Sequence, residues 1–364
     1  MAVQVLQRPM ELPVDRDGVG PVCLVTGGNG YVGKHLIRRL LELGCEVRSL
    51  DLAPFRGDDL RVEGIVGDVR RFTDVRSACE GVDTVFHTAA VINTLTLARP
   101  EVRRHVYAVN VLGTECAIRA CKDAGVKKLI FTSSIVVAVD GPIRDADETA
   151  PYVGKKGLPD LYSQTKSEAE KLVLAADDAG GLRTAAIRPG GVWGPGEGAI
   201  VVEDFLEHLA SGRFKATIGD GTSVTDNVHI DSVVDAHFLA AQKLADDPDL
   251  VGGQAYFVSD GEPTNPVIWY RPIVEALGYP WPRVQIPRSF AYAIAYVSEL
   301  AHYLGGPFPG LTRRGVLAVS RDASFRIDKA RAHLGYEPRT SAAEGLPDLM
   351  SELRTIHDRM KSAR

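Results

Sequence analysis

The sequence predicts an α/β fold, a doubly wound parallel sheet carrying a smaller, mostly helical C-terminal cap. Two observations carry that expectation. From about Pro21 to about Arg188, short apolar runs alternate with stretches of helical apolar spacing, a pattern that builds a parallel sheet covered by helices on both faces. After Pro189 the pattern changes to a Gly and Pro cluster at Gly190–Gly198, and beyond Pro266 to mostly helical chain with many prolines and aromatics. A length of 364 residues suits about two domains. The expected division is a polar tail over 1–20, a sheet domain over 21–190 and a smaller cap over 191–364. Segments about 216–250 are expected to return to the sheet domain.

Taken in order, Val22–Thr26 reads as the first strand. Val32, Leu36, Ile37, Leu40 and Leu41 recur at helical spacing, and Gly44 closes that helix. Glu46–Asp51, Val62–Val66, Thr84–His87 and Lys128–Ser133 read as strands two to five, and Thr184–Arg188 as the sixth. One helix carrying Val106, Val109, Leu112, Ala117 and Ala120 falls between the fourth and fifth, and another opens near Leu161. Helices at about Ala199–Ser211 and Asp231–Asp246 and a strand at Gln254–Val258 follow.

Apolar residues at 45% and charged residues at 24% describe a globular chain and exclude disorder over most of it. A net charge of −5 argues against a general nucleic-acid binder, which needs a basic face. Cys23, Cys45, Cys79, Cys116 and Cys121 are an odd set without a CxxC pair. They read as free thiols of a reducing compartment rather than a disulfide framework or zinc cluster. Met1–Gly20 has no unbroken apolar core of signal-peptide length, so the expected location is the cytoplasm.

The first strand runs into Thr26-Gly27-Gly28-Asn29-Gly30-Tyr31-Val32-Gly33, and the first helix follows. Gly27, Gly30 and Gly33 space as G-x-x-G-x-x-G, and Gly28, Gly30 and Gly33 as G-x-G-x-x-G. Glycine is needed where a tight turn brings backbone against a pyrophosphate and packs helix close to strand. The helix N-terminus, opened by Tyr31 and Val32, offers N–H groups and a positive dipole end. Asp51 ends the next strand, 18 residues past Gly33. A carboxylate there accepts both ribose hydroxyls and repels a 2′-phosphate, which favours NAD over NADP. The loop makes this a Rossmann sheet. Asp68 and Val69, after the third strand, are placed near the adenine amino group.

Tyr162-Ser163-Gln164-Thr165-Lys166 is Y-x-x-x-K, which puts phenol and ammonium on one helix face. Thr132-Ser133-Ser134 ends the fifth strand, where ligand sites of parallel sheets lie. The expected chemistry is alcohol oxidation: Lys166 and a positive nicotinamide stabilise the Tyr162 phenolate, which takes the alcohol proton while hydride leaves carbon. A serine hydroxyl holds the substrate oxygen, and Asn110 positions a water that relays the proton past Lys166. His87, Trp193 and Trp269 read as packing residues.

In these pieces the chain resembles an extended short-chain dehydrogenase/reductase, in particular the 3β-hydroxysteroid dehydrogenase and sterol-4α-carboxylate 3-dehydrogenase group. The matching segments are VTGGNGYVGKHL (25–36), GDV (67–69), VFHTAA (85–90), VNVLGTECAIRAC (109–121), FTSS (131–134), YSQTK (162–166), AIRPGGVWGPG (186–196), AYFVSDGEP (255–263) and KARAHLGYEP (329–338). The resemblance implies that Ser134 is the catalytic serine and Ser133 structural. It implies that Thr88 and Ala89 line the cofactor and that Pro189 to Val192 lie beside the nicotinamide.

The implied activity is oxidation of a 3β-hydroxyl by NAD, with the decarboxylating reaction on a 4α-carboxysterol as one alternative. A nucleotide-sugar epimerase or dehydratase and a non-catalytic NAD(P) sensor are the others. Against the nucleotide-sugar branch, Gly190-Gly191-Val192 lacks the asparagine that grips a nucleotide diphosphate there. The cap stretch Phe290, Tyr292, Ile294, Tyr296, Val297, Leu300, Leu304, Phe308 and Leu311 offers apolar side chains instead of a basic clamp, which suits a steroid or sterol. Pro287–Pro309 is too interrupted to span a bilayer, and suits either an ordinary soluble cap or an amphipathic helix lying on lipid. A homodimer is compatible with the sequence.

Overall fold

The computed structural model describes residues 20–57, 59–154, 160–196 and 200–362. Residues 1–19 of the expected tail over 1–20, and the helix start at Ala199, lie outside the described residues.

The elements, in chain order, are β1 Val22–Thr26, α1 Tyr31–Glu42, β2 Glu46–Asp51, β3 Val62–Val66, α2 Phe72–Ala78, β4 Thr84–His87, α3 Pro100–Tyr107, α4 Gly113–Ala124, β5 Lys128–Thr132 and β6 Ile143–Ala146. Then come α5 Leu161–Ala175, β7 Arg183–Pro189, β8 Gly191–Trp193, α6 Ile200–Ala210, β9 Ala216–Ile218, β10 Asn227–His229, α7 Ile230–Asp246, α8 Pro248–Val251 and β11 Gln254–Val258. The last part holds α9 Arg271–Ala276, β12 Val284–Ile286, α10 Arg288–Tyr303, α11 Arg313–Ser320, β13 Ala323–Phe325 and α12 Ala342–Ser362.

Seven parallel strands form the main sheet in the order β11-β7-β5-β4-β1-β2-β3. The chain winds outward from β1 to β3, then crosses back to β4 on the other side of β1. That reversal opens a crevice at the carboxyl ends of β1 and β4, where ligands of open α/β sheets bind. Side chains alternate between the sheet's two faces. Val25, Phe86, Ile130 and Ile187 pack under α1 and α7, while Leu24, Val85, Leu129 and Phe131 pack under α2, α4 and α5. Burial on both faces is why these strands read as unbroken apolar runs.

Two features differ from the sequence reading. Gln254–Val258 pairs with β7 from Ala185 to Pro189, so the chain returns to the sheet beyond the 216–250 segment. The single helix expected around Val106–Ala120 is α3 and α4 joined by a π-helical turn at Ala108–Leu112. Spacing of apolar residues does not register one inserted residue per turn, so the pattern hides it.

Candidate active site

The loop after β1 is built around close approaches that only glycine permits. A Cβ on Gly33 would lie 2.3 Å from the Gly27 carbonyl oxygen, and one on Gly28 would lie 2.0 Å from Ser49 Oγ. Gly27 has φ +72°, and a Cβ there would sit 2.8 Å from the Ala89 Cα. Gly30 N–H donates to Gly27 O at 2.9 Å, and Gly30 caps α1 in extended conformation without a side-chain bond to the first-turn amides. The loop thus leaves bare backbone and open N–H groups at a helix N-terminus, the arrangement that suits an anionic group.

Thr88 closes the other side, its hydroxyl donating to Thr26 O at 2.7 Å, and Ala89 N–H reaches Thr26 Oγ1 at 3.5 Å. Asp51 stands at the end of β2 as expected. Its Oδ2 accepts from Asn29 N–H at 3.0 Å and its Oδ1 from Leu52 N–H at 2.7 Å. Asn29, which the sequence reading passed over, ties the loop down: Nδ2 donates to the Ala53 and Pro54 carbonyls, and Oδ1 accepts from Arg56 N–H. Val69 is buried, and a Cβ on Gly113 would sit 3.0 Å from its Cγ2, so the valine would have to give slightly. Asp68 is ion-paired with Arg70, which holds its carboxyl below the usual range. Val32 packs partly buried against the α1 and α7 side of the core, and the Tyr31 hydroxyl donates to Pro195 O at 3.1 Å. Tyr31 thereby links α1 to the segment after β8.

The chemistry-bearing groups gather at the ends of β5 and α5. Asp160 caps α5, its Oδ1 accepting from Ser163 N–H at 3.0 Å. Tyr162 N–H and Leu161 N–H donate to Asn93 O and Leu95 O, so the first turn is fixed from outside as well. One turn on, Lys166 is buried. Its Nζ donates to the Thr132 carbonyl and lies 4.1 Å from the centre of the Phe131 ring. That bond locks α5 to the strand end from which Ser134 projects, two residues further along. Ser134 is partly exposed and caps a short helical turn at Ile135–Ala138, while Ser133 is buried.

The sequence reading expects Lys166 and a positive nicotinamide together to bring the phenol pKa down. In the fold, burial dominates both groups. Burial, then the Asp160 charge, pushes the Tyr162 phenol above its ordinary value, with Arg314 opposing. Burial lowers the Lys166 ammonium from 10.5 to about 7, with Glu170 opposing. The lysine ammonium is directed to the Thr132 carbonyl and the Phe131 ring.

Asn110 sits in the π-helical turn with its amide fully engaged. Oδ1 accepts from Val91 N–H at 2.7 Å, and Nδ2 donates to Val91 O and to Thr165 Oγ1. Its carbonyl accepts the Thr114 hydroxyl at 2.7 Å. These bonds make it a brace between the post-β4 segment and the residue before Lys166.

Glu170, one turn beyond Lys166, was missed in the sequence because a charge on a helix usually faces solvent. It is fully buried and takes Arg188 Nε at 3.0 Å and Nη2 at 2.6 Å, plus the Tyr152 hydroxyl at 2.7 Å. His87 is structural, as expected. Its ring nitrogens meet Thr26 Oγ1 and Thr114 Oγ1, and burial lowers its pKa to about 3, so it is neutral. Trp193 and Trp269 pack edge to face at 5.7 Å, and Trp193 Nε1 donates to Asp260 Oδ2.

Beyond β7, Pro189 is buried at the strand end and Val192 is half-buried in β8. Gly190 is forced by packing, since a Cβ there would lie 2.6 Å from the main-chain Asp226 O; one on Gly191 would lie 2.5 Å from Asn227 Oδ1, at the end of a side chain. The segment itself lacks an amide, yet the parallel neighbour β10 brings one to it. A second correction concerns the cap. Arg314 Nε lies 3.2 Å from Asp160 Oδ2, and Arg288 and Arg314 both lie close enough to Arg321 for their charges to interact. The cap thus presents a basic cluster beside its apolar residues. On α10, Ala291, Ala295 and Glu299 face inward, while Phe290, Ile294 and Val297, and Leu304 just past its end, are exposed.

A glycine cradle at the switch point of a parallel sheet, with a tyrosine–lysine pair on the helix after β5, defines an extended short-chain dehydrogenase/reductase. Comparison with known proteins narrows this. Residues 24–288 match the model of the 3-beta hydroxysteroid dehydrogenase/isomerase family. The chain is 38% identical over 330 residues to short-chain dehydrogenase/reductase family 42E member 1 of Bos taurus, covering 86% of this chain and 83% of that one. It is 36% identical over 344 residues to a 3 beta-hydroxysteroid dehydrogenase/Delta 5-->4-isomerase of Mycobacterium tuberculosis, covering 93% and 92%. Among solved structures, the UDP-glucose 4-epimerase of Thermus thermophilus in complex with NAD superposes with a TM-score of 0.67 at 26% identity, over 94% of this chain and 100% of that one. The chain belongs to the 3-beta hydroxysteroid dehydrogenase/isomerase family and is an NAD-dependent oxidoreductase.

Proposed function

We propose that this chain oxidises the 3β-hydroxyl of a steroid or sterol to the 3-ketone, with Tyr162 as the base. The observation that carries the reading is the Lys166–Thr132 bond, which fixes the tyrosine helix against the strand end bearing Ser134. Gly27, Gly30 and Gly33 with the α1 N-terminus would hold the pyrophosphate. Asp51 would hold the adenosine ribose, Thr88 and Ala89 the inner wall, and Pro189 and Val192 the nicotinamide side. Bound NAD supplies the hydride acceptor and a positive ring beside the phenol.

The protein's own part is positional and electrostatic. Ser134 Oγ holds the substrate oxygen. Burial holds the proton on the Tyr162 phenol until a positive ring stands beside it; the phenol would then pass that proton to Lys166, and the phenolate would take the proton of the substrate hydroxyl as hydride leaves carbon for the bound NAD. Lys166, close to its own titration at neutral pH, is the neighbour able to take up or release the next proton. Glu170 and Arg188 keep the far end of this row charged and fixed.

The exposed apolar side of α10 supports a further part of the reading, a peripheral contact with lipid, the phase in which sterols reside. No described helix is long and apolar enough to cross a membrane.

The test is NAD reduction across a panel of 3β-hydroxysteroids and sterols, with UDP-glucose in parallel. Wild type should turn over steroids, and Tyr162→Phe should bind NAD normally yet lose about 10²–10⁴-fold in turnover. Near-normal turnover in Tyr162→Phe, or activity on the nucleotide sugar alone, would discard the proposal.

A further inference from the structure

His87 ends β4 beside Thr26, its register partner at the end of β1, where the glycine loop begins. Its ring is fully buried, yet both nitrogens are engaged. The order of donors is fixed. The Thr114 hydroxyl on α4 gives its hydrogen to Asn110 O at 2.7 Å, so its oxygen takes the His87 Nε2 hydrogen at 3.0 Å. Burial, with the Lys166 charge adding to it, keeps the ring neutral. Its bare Nδ1 therefore accepts the Thr26 hydroxyl at 2.7 Å.

The row continues to the catalytic helix. Asn110 Nδ2 donates to Thr165 Oγ1 at 2.9 Å, and the Thr165 hydroxyl gives its hydrogen to the carbonyls of Leu161 at 2.9 Å and Tyr162 at 3.1 Å. Thr26, His87, Thr114, Asn110 and Thr165 are each at most 2% exposed. A second path runs through rings. His87 stacks on Phe131 at 5.8 Å, and the Lys166 ammonium lies 4.1 Å from the centre of that same ring. The backbone supplies a third, since the chain leaving His87 returns to α5, where Asn93 O and Leu95 O accept the Tyr162 and Leu161 N–H groups.

A leucine or phenylalanine would fill the space beside Phe131 without needing polar partners. What the imidazole adds is one acceptor and one donor on a rigid ring, and it directs one to each functional segment. The Thr26 hydroxyl has one other contact among the described residues, Ala89 N–H at 3.5 Å. A shift at either end is thus passed along the row, because a buried polar group left unpaired is costly.

We propose that His87 is a positioning residue that couples the glycine loop to the first turn of α5, so that a loop fixed by NAD fixes Tyr162 in turn. The proposal rests on NAD as the cofactor and on the reading of Tyr162 as the base. It does not depend on which alcohol is oxidised.

Hydrogen exchange over residues 160–166, with and without saturating NAD, is the first measurement. In wild type, NAD should slow exchange several-fold. His87→Leu removes both ring contacts. Thr114→Val removes one hydroxyl at nearly constant shape and covers the case in which the histidine variant fails to fold. Both should still bind NAD, read from the rise in melting temperature with NAD concentration, and both should lose the slowing. His87→Gln, whose amide also offers an acceptor and a donor, should regain it. Slowing absent in wild type, slowing kept in the folded variants, or loss of NAD binding in them overturns the coupling.

Turnover on the 3β-hydroxysteroid that wild type oxidises best is the second measurement. In His87→Leu and Thr114→Val, kcat should fall about 10–10²-fold while the KM for NAD moves far less, since the phenol and not the cofactor is displaced. A lower melting temperature with unchanged kcat marks a purely structural histidine and overturns the proposal. Where wild type oxidises no steroid of the panel, the substrate reading fails, and the exchange measurement alone decides the coupling.

Discussion

Lys166→Met should make the protein more stable while removing its chemistry. The Lys166 side chain is 2% exposed, and burial lowers its pKa from 10.5 to about 7. At about 1.36 kcal/mol for each pH unit, that drop weighs about 5 kcal/mol against the charged form. Methionine fills a similar volume without the charge. The variant leaves the Thr132 carbonyl without its donor, a loss of about 1–3 kcal/mol. It also loses the ammonium contact with Phe131, about 1–2 kcal/mol. The net at neutral pH is a gain on the order of 1–2 kcal/mol.

The pH dependence has a definite sign. The amine binds its proton less tightly in the folded chain than in the unfolded one. Between about pH 7 and pH 10.5 the unfolded chain therefore holds more protons, and wild-type stability rises across that window. Below about pH 7 both states are protonated and the whole penalty stands; above about 10.5 neither is, and it vanishes. Lys166→Met lacks this slope, so its advantage is greatest at and below neutrality and shrinks as pH rises. Urea unfolding of both proteins from about pH 6 to about pH 10 measures it. A variant less stable than wild type by more than about 1 kcal/mol at pH 7, or a difference flat across the range, would refute the reasoning.

Asp51→Ala should raise the KM for NAD and shift the ratio of kcat/KM for NADP over NAD upward by about tenfold or more, a change of about 1.4 kcal/mol. Steady-state kinetics with both cofactors decide it, and a wild type that already prefers NADP contradicts the role given to the carboxylate. Val297→Asp on α10 with Leu304→Asp just past its end, both exposed, should cut co-sedimentation with phospholipid vesicles several-fold. Equal sedimentation of variant and wild type removes the lipid contact.

The sheet was readable because buried parallel strands leave a plain mark. Val22–Thr26, Glu46–Asp51, Val62–Val66, Thr84–His87 and Gln254–Val258 are observed with the bounds that apolar runs and turn residues indicate. The glycine loop was readable for a related reason, since each glycine answers a local clash. What stayed hidden is pairing between residues remote in sequence or atypical for their element. Glu170 looks like a solvated helix charge until Arg188, 18 residues away, is seen against it. Asn110 looks like a helix amide until the π-helical turn shows why the helix needs a brace there.

Gly190 and Gly191 carry the same lesson further. Read along the chain, they signify an amide that is missing. Read across strands, they are small because Asp226 and Asn227 crowd them, and Asn227 supplies an amide at that place. The arginines of the cap follow suit. Arg288, Arg314 and Arg321 are scattered among apolar residues, so composition makes the cap look greasy, and only folding α10 against α11 draws their charges together. The chemistry of the reacting end is thus written locally, in motifs a few residues long. Substrate choice depends on cross-strand and cross-helix neighbours, and that is the part the fold adds.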